Sequence, residues 1–296
     1  MKYKTITFYK YVELKNPEQF REYLRGLCEG LNLFGRILIA EEGINAGVSG
    51  SVEEIEKFKQ IIKTKRKFSD LTFRENASDK NSYHKLVVRV RPEIIAFGKK
   101  VNLRKKGKYL SPERFKKWLD REEDLVILDA RNDYETKIGK FKNALILPIE
   151  NFNEFTEAAE KILVDKKDKK IIMYCTGGIR CEKSSAYLKE KGFKNVFQLK
   201  GGIINYVNEF PNTHFKGSCF VFDDRLSKNT GSDEVLSCCE ICGASSDKYL
   251  DCHNMDCDKL FVCCEDCQKK MNKTCSEVCK NSGRHRDTNP RLTINN

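Results

Sequence analysis

No stretch of this 296-residue chain holds eighteen consecutive apolar residues, which excludes a membrane-spanning helix. The N-terminus, MKYKTITFYKYVEL, alternates apolar with polar residues and has no hydrophobic leader followed by a small-residue cleavage site. No secretory signal is therefore expected, and the reading places the protein in the cytoplasm. Histidine is scarce: His84, His214, His253 and His285 form no facial triad with a carboxylate, which argues against a non-haem iron centre. No glycine fingerprint for a flavin or a nicotinamide is present, so neither is expected. Cysteine is sparse through most of the chain, with only Cys28, Cys175, Cys181 and Cys219 before residue 238. A disulfide scaffold belongs to short secreted chains, so that reading is set aside.

Acidic residues are also thin in one region. Between Gln60 and Leu110 there are fifteen Lys or Arg against four Asp or Glu, a surplus of eleven within a net charge of +12. The cations run through Lys63, Lys65, Arg66, Lys67, Arg89, Arg91, Lys99, Lys100, Arg104, Lys105 and Lys106. Such clustering favours a polyanion, because phosphate contacts release counterions and supply most sequence-independent affinity. A solvated basic face without a partner is the plainer alternative. Phe68, Phe73, Tyr83 and Phe97 are interleaved with these cations; they read as nucleobase contacts or, for most of them, as core.

Periodicity divides the chain into three α/β parts. Residues 1–92 read β-α-β-β-α-β: TITFYKYV is a strand, Pro17 opens a helix with Phe20, Leu24, Leu27 and Leu31 on one face, and Ser51 with Glu54 caps a second. That order predicts a ferredoxin-like (acylphosphatase-like) α+β domain, the proposed RNA-binding part. Residues 93–119 read as a basic connector with one helix capped by Ser111. In residues 120–214 the apolar runs DLVILDAR, NALILPI, KKIIMYC and NVFQL alternate with helices, the pattern of a parallel sheet buried on both faces. Residues 235–296 form a small cysteine-rich part.

The stretch MYCTGGIRCEKSSAYL carries the chemistry. In a parallel sheet ligands bind beyond the carboxyl ends of the strands, and KKIIMYC delivers Cys175 there. Thr176, Gly177, Gly178 and Ile179 can curl their amides inward while the following helix aims its N-terminus at the same spot, making an anion cradle. A cysteine inside it has a stabilised thiolate, open to an incoming group, and Arg180 adds positive charge. Cys181 reads either as a resolving thiol or as a small core residue.

Residues 120–212 resemble a rhodanese domain. LDARNDYETKIGKFKNALILP is similar to its first strand and turn, YCTGGIRCEKSSAYLKEKGF to its active-site loop, and LKGGI to its closing glycine pair. The resemblance places Cys175 at the sulfur-carrying position and Asp129, Arg131 and Glu135 as supports of the loop. With GRILIAEEGINAGVSGS and the cysteine-rich tail, nearly the whole chain resembles the bacterial tRNA uridine hydroxylases. That resemblance implies oxygen-dependent 5-hydroxylation of the wobble uridine, with molecular oxygen as co-substrate and the tRNA anticodon stem-loop as partner. A thiolate at Cys175 can then add to C6 of uracil and make C5 nucleophilic, with Arg180 stabilising the enolate. A sulfurtransferase that forms a persulfide on Cys175 is the alternative. The sequence names no sulfur or electron donor.

In the tail, Cys239-x2-Cys242 and Cys264-x2-Cys267 are knuckle spacings, with Cys252, Cys257, Cys275 and Cys279 between and after them. Eight thiolates in this order can make two four-coordinate structural zinc sites, with Cys238, Cys263 and His253 spare; disulfides and a redox role for the tail are the alternatives.

Overall fold

The computed structural model describes residues 2–286; Met1 and the predicted tail residues 287–296 lie outside the described residues. The described residues form two compact units, one from 2–96 with Asp223–Arg225, the other from Phe97–Phe222 and 226–286.

The first unit runs β1 (Tyr3–Tyr11), α1 (Pro17–Gly30), β2 (Phe34–Ala40), β3 (Gly43–Ser51), α2 (Val52–Thr64), β4 (Arg74–Ser78) and β5 (Leu86–Val90). Its sheet is ordered β4-β1-β3-β2-β5, antiparallel except for the parallel pair β2–β5. The βαββαβ order thus closes a ferredoxin-like sheet, and β5 extends it by one edge strand. Pro17 sits in the first turn of α1, and α1 buries Leu24 and Cys28. The capping box on α2 is present: the Ser51 amide donates to Glu54 Oε2 at 2.8 Å and the Glu54 amide to Ser51 Oγ at 3.2 Å. This helix lays Ile55, Phe58 and Ile62 on the sheet.

In the second unit β6 (Lys108–Leu110), α3 (Pro112–Asp120), β7 (Val126–Asp129), α4 (Asp133–Lys137), β8 (Gly139–Phe141) and β9 (Leu145–Ile146) come first. α5 (Phe155–Ile162), β10 (Lys170–Tyr174), α6 (Ile179–Glu190), β11 (Asn195–Leu199) and α7 (Gly202–Glu209) follow. The sheet β6-β11-β10-β7-β9 is parallel throughout, and Ile171, Ile172, Met173 and Tyr174 of its middle strand are fully buried. Strand β12 (Phe215–Gly217) pairs with β8, and β13 (Cys219–Phe220) with β14 (Ser227–Lys228). The tail adds the hairpin β15 (Tyr249–Asp251) and β16 (Leu260–Val262) and two short helices, α8 (Glu265–Lys270) and α9 (Glu277–Lys280).

Two readings differ from this arrangement. The stretch 93–119 is no free connector: β6 is an edge strand of the parallel sheet, and α3 sends Phe115 and Trp118 into the core of the same unit. A three-residue strand with Lys108 and Tyr109 exposed leaves no apolar pattern to detect. The cysteine-rich segment shares its unit with the parallel sheet. Tyr249 and Val262 pack with Ile138 and Phe220, and Tyr249 Oη donates to the Tyr134 carbonyl at 2.7 Å. Among the described residues no helix is long and apolar enough to cross a membrane.

Candidate active site and candidate metal centres

Three parallel strands end at one edge, and each delivers a piece of the site. β7 ends in Asp129, β10 leads into Cys175, and β11 leads into Gly201 and Gly202. The loop after β10 turns at Gly178, whose φ of +99° suits glycine, and α6 starts there. The Cys175 sulfur accepts a hydrogen bond from the Gly178 amide at 3.0 Å. The Cys181 side chain and amide also favour the charged form of this sulfur. Burial alone pushes this thiol up; the Cys181 side chain, the Arg180 charge and the two amides outweigh it and hold the thiol at about 5.

The expected open thiolate is in fact enclosed, with Cys175 only 1% exposed. The cause is the glycine pair. Gly202 has φ of +68°, and a Cβ there would stand 2.4 Å from the Cys175 carbonyl oxygen. This close approach lets the Ile203 and Ile204 amides bond the carbonyls of Cys175 and Thr176 at 3.0 and 3.2 Å, closing the start of α7 over the loop. Thr176, Gly177 and Ile179 remain partly exposed at the rim.

Arg180 is 4% exposed and spends its terminal nitrogens on Glu135, at 2.5 and 2.7 Å. Burial would raise the Glu135 carboxyl, but the Arg180 guanidinium, aided by Arg131, holds it below the usual carboxylate range. Thr176 Oγ1 donates to the same carboxylate at 3.2 Å. Asp129 and Arg131 form a second, fully buried pair at 2.7 Å, and Arg131 also donates to the Gly139 carbonyl at 2.7 Å. These four charges brace the loop from beneath, with Arg180 reaching Cys175 through its field.

Sequence reasoning passed over Phe222. This ring is 51% exposed and lies 5.7 Å from the Arg180 guanidinium. An isolated exposed phenylalanine carries no spacing signal, so only the fold reveals it.

The cations fall on both units. Arg66, Arg91, Lys100, Arg104 and Lys105 are exposed. Lys63 and Lys65 lie over the rings of Phe73 and Tyr23, and Lys99 over Tyr187. Lys67 bonds the Glu13 carbonyl, and Arg89 is partly buried. Lys106 pairs with the buried Glu182 at 2.7 Å, which ties β6 to α6. Among the interleaved aromatics, Phe68 and Phe97 are core, and Phe73 packs against the core.

In the tail, the eight cysteines gather into two tetrads, Cys239–Cys242–Cys264–Cys267 and Cys252–Cys257–Cys275–Cys279, each with its sulfurs within 4.8 Å of one another. First and third pairs share one tetrad, second and fourth the other, so the sites interleave. Sulfur separations are 3.6 Å for Cys242–Cys264, 3.8 Å for Cys257–Cys275 and 3.7 Å for Cys275–Cys279. A disulfide needs about 2.05 Å. A sulfur tetrahedron around zinc, with Zn–S of about 2.3 Å, has an edge of about 3.8 Å. The donor set therefore fits a thiophilic ion of zinc's size. Cys238 is exposed, Cys263 and His253 are buried, and all three stand outside the tetrads.

Known proteins share this organisation. The family described as UPF0176 acylphosphatase like domain matches residues 3–94, the rhodanese-like domain residues 111–209, and the rhodanase C-terminal family residues 216–280. The tRNA uridine(34) hydroxylase of Cytophaga hutchinsonii is 42% identical over 282 residues, covering 94% of this chain and 90% of that protein. The tRNA uridine(34) hydroxylase of Leptospira interrogans is 39% identical over 285 residues, covering 94% and 77%. The Legionella pneumophila protein of the same name is 42% identical over 233 residues, covering 77% and 91%. At this identity, sustained over acylphosphatase-like, rhodanese and cysteine-rich parts alike, the chain belongs to the tRNA uridine(34) hydroxylase family.

Proposed function

We propose that this protein hydroxylates C5 of uridine 34 in tRNA in the cytoplasm, with dioxygen as oxidant and Cys175 as nucleophile. The observation that carries the reading is the ionised sulfur at the carboxyl edge of a parallel sheet, held by the Gly178 amide. A thiolate adds to C6 of uracil, and the electron pair that leaves the C5–C6 bond makes C5 an enolate carbon able to meet oxygen. The anticodon loop is single-stranded, so its wobble base can leave the stack at modest cost. It enters at the rim of Thr176, Gly177 and Ile179, and Phe222 offers a face for stacking beside that rim. Arg180 is a positioning residue: paired with Glu135, it keeps the thiolate charged and the loop in shape. The exposed cations Arg66, Arg91, Lys100, Arg104 and Lys105 hold the phosphate backbone. Zinc in the two tetrads is structural; it fixes β15 and β16 and, through Tyr249, the segment of Tyr134 that carries Glu135.

The test is nucleoside mass spectrometry of tRNA from a strain lacking this chain, complemented with wild type or Cys175→Ser. Wild type restores 5-hydroxyuridine or its derivatives, and the variant does not. Hydroxylation retained by Cys175→Ser discards the nucleophile, and unchanged tRNA in the deleted strain discards the activity.

A further inference from the structure

The first unit carries a cavity that the chemistry at Cys175 does not use. It measures about 410 Å³ and lies between the loop that leads into α1, the first turns of that helix and the turn that follows α2. Sites for small ligands span about 300–1,000 Å³. Its floor is aromatic. Phe20 stacks on Phe68 with ring centroids 5.1 Å apart and planes 3° from parallel, and Tyr23 stacks beside Phe20 at 6.1 Å and 14°. Phe68 and Leu14 belong to the core and anchor this floor, whereas Phe20 and Tyr23 are only partly buried.

The rim is cationic. Lys15, Lys65, Arg66 and Lys67 line the cavity and are exposed, and none of its lining residues is acidic. The Lys67 ammonium donates to the Glu13 carbonyl at 2.5 Å, and the Lys67 carbonyl accepts from the Lys10 ammonium at 2.8 Å, so the two walls are tied together. The Lys65 ammonium stands 4.3 Å over the Tyr23 ring. Asn16, at the N-cap of α1, makes no side-chain cap hydrogen bond, which leaves its amide and that of Gln19 for the edge of a ligand.

We propose that this cavity is a second contact for the tRNA and takes one unpaired nucleotide of it, the base against Phe20 and Tyr23 and the phosphate between Lys65 and Arg66. This rests on tRNA as the substrate, as read above. The cavity answers both halves of a nucleotide. Every base has a flat π-face that stacks on an aromatic ring, and the adjoining phosphate suits the cations. An acidic peptide would suit the rim and leave the rings unused. Lys65 couples the two halves. In the empty cavity its ammonium takes the ring face as a cation–π contact. When a base takes that face, the flexible four-carbon stem carries the ammonium to the phosphate. All the lining residues belong to the first unit and Cys175 to the second, so this contact adds affinity without touching the reacting atoms.

The experiment measures equilibrium binding of tRNA from the deleted strain to the full-length protein, together with ultraviolet cross-linking and peptide mapping. Tyr23→Leu keeps apolar bulk and removes the π-face, so its Kd should rise about fivefold or more. The slope of log affinity against log salt should stay at the wild-type value, because no charge is lost. Tyr23→Phe keeps the ring and should bind as wild type does. Cross-linking needs no variant: wild type should give tRNA adducts on the peptides that carry Phe20, Tyr23 or Phe68. Wild-type affinity in Tyr23→Leu overturns the proposal, as do adducts confined to peptides outside the cavity. An adduct formed there by free uridine monophosphate but not by tRNA also overturns it, in favour of a free nucleotide. Binding and adducts are read without turnover. Protein that binds tRNA through the cavity yet makes no 5-hydroxyuridine would therefore sink the hydroxylase reading alone, and tRNA that does not bind at all would sink both.

Discussion

The active-site loop and the tail use the same side chain in opposite ways. Around Cys175 one sulfur is ionised by what the protein brings to it, the Gly178 amide, a neighbouring thiol and the Arg180 charge. In the tail, each tetrad brings four sulfurs within 4.8 Å of one another. Four thiolates at that spacing repel each other unless a cation sits between them. A single thiolate can thus be satisfied by the fold around it, whereas a tetrad of thiolates calls for a metal between them.

The comparison breaks first at the tail. Replacing Cys264 with serine removes a ligand from one tetrad, and because the tetrads interleave, both should suffer. Structural zinc is worth about 10–16 kcal/mol in small fingers. Metal analysis should show about two zinc ions per chain in wild type and fewer than one in the variant. A variant that keeps one full site and an unchanged tail would contradict the interleaved arrangement.

Next comes Glu135→Gln, which leaves the buried Arg180 without its carboxylate. Uncompensated burial of that charge should cost about 3–5 kcal/mol, read from the midpoint of denaturant unfolding. A change below about 1 kcal/mol would mean that the pair is solvated and braces nothing.

Gly202→Ala is smaller. The added methyl meets the Cys175 carbonyl at 2.4 Å in a left-handed backbone, so a cost of about 1–3 kcal/mol and a displaced loop are expected. Cys175 alkylation should slow in proportion; unchanged reactivity would show that the thiolate does not depend on closure by α7.

The smallest effect belongs to Arg66→Ala, on an exposed side chain. It should weaken tRNA binding evenly across sequences and reduce the slope of log affinity against log salt by about 0.9, with kcat unchanged. An unaltered slope would remove Arg66 from the interface.

Much of this was legible in the chain because its signals are local. The capping box of Ser51 and Glu54, the apolar run into Cys175 and the glycines after it each lie within a few residues, and each appears in the structure where the spacing puts it. What escaped was long-range. Spacing identified four cysteine pairs but not which pairs share a tetrad. Lys106 reads as a phosphate contact until Glu182, seventy-six positions away, is found beside it. The enclosure of Cys175 depends on Gly202 at the start of α7, twenty-seven positions on in the chain, and Phe222 has no neighbours in sequence that mark it.

The ionised sulfur remains the centre of the account. Because the folded thiol titrates below the unfolded one, the stability linked to it is present above the unfolded value of about 8.5. It drains away as pH falls toward about 5. The direct measurement is an ultraviolet titration of thiolate absorbance, taken as the difference between wild type and Cys175→Ser. A midpoint near 5 is predicted. A midpoint at about 8.5 or above, where a free thiol titrates, would contradict the cradle and the mechanism built on it.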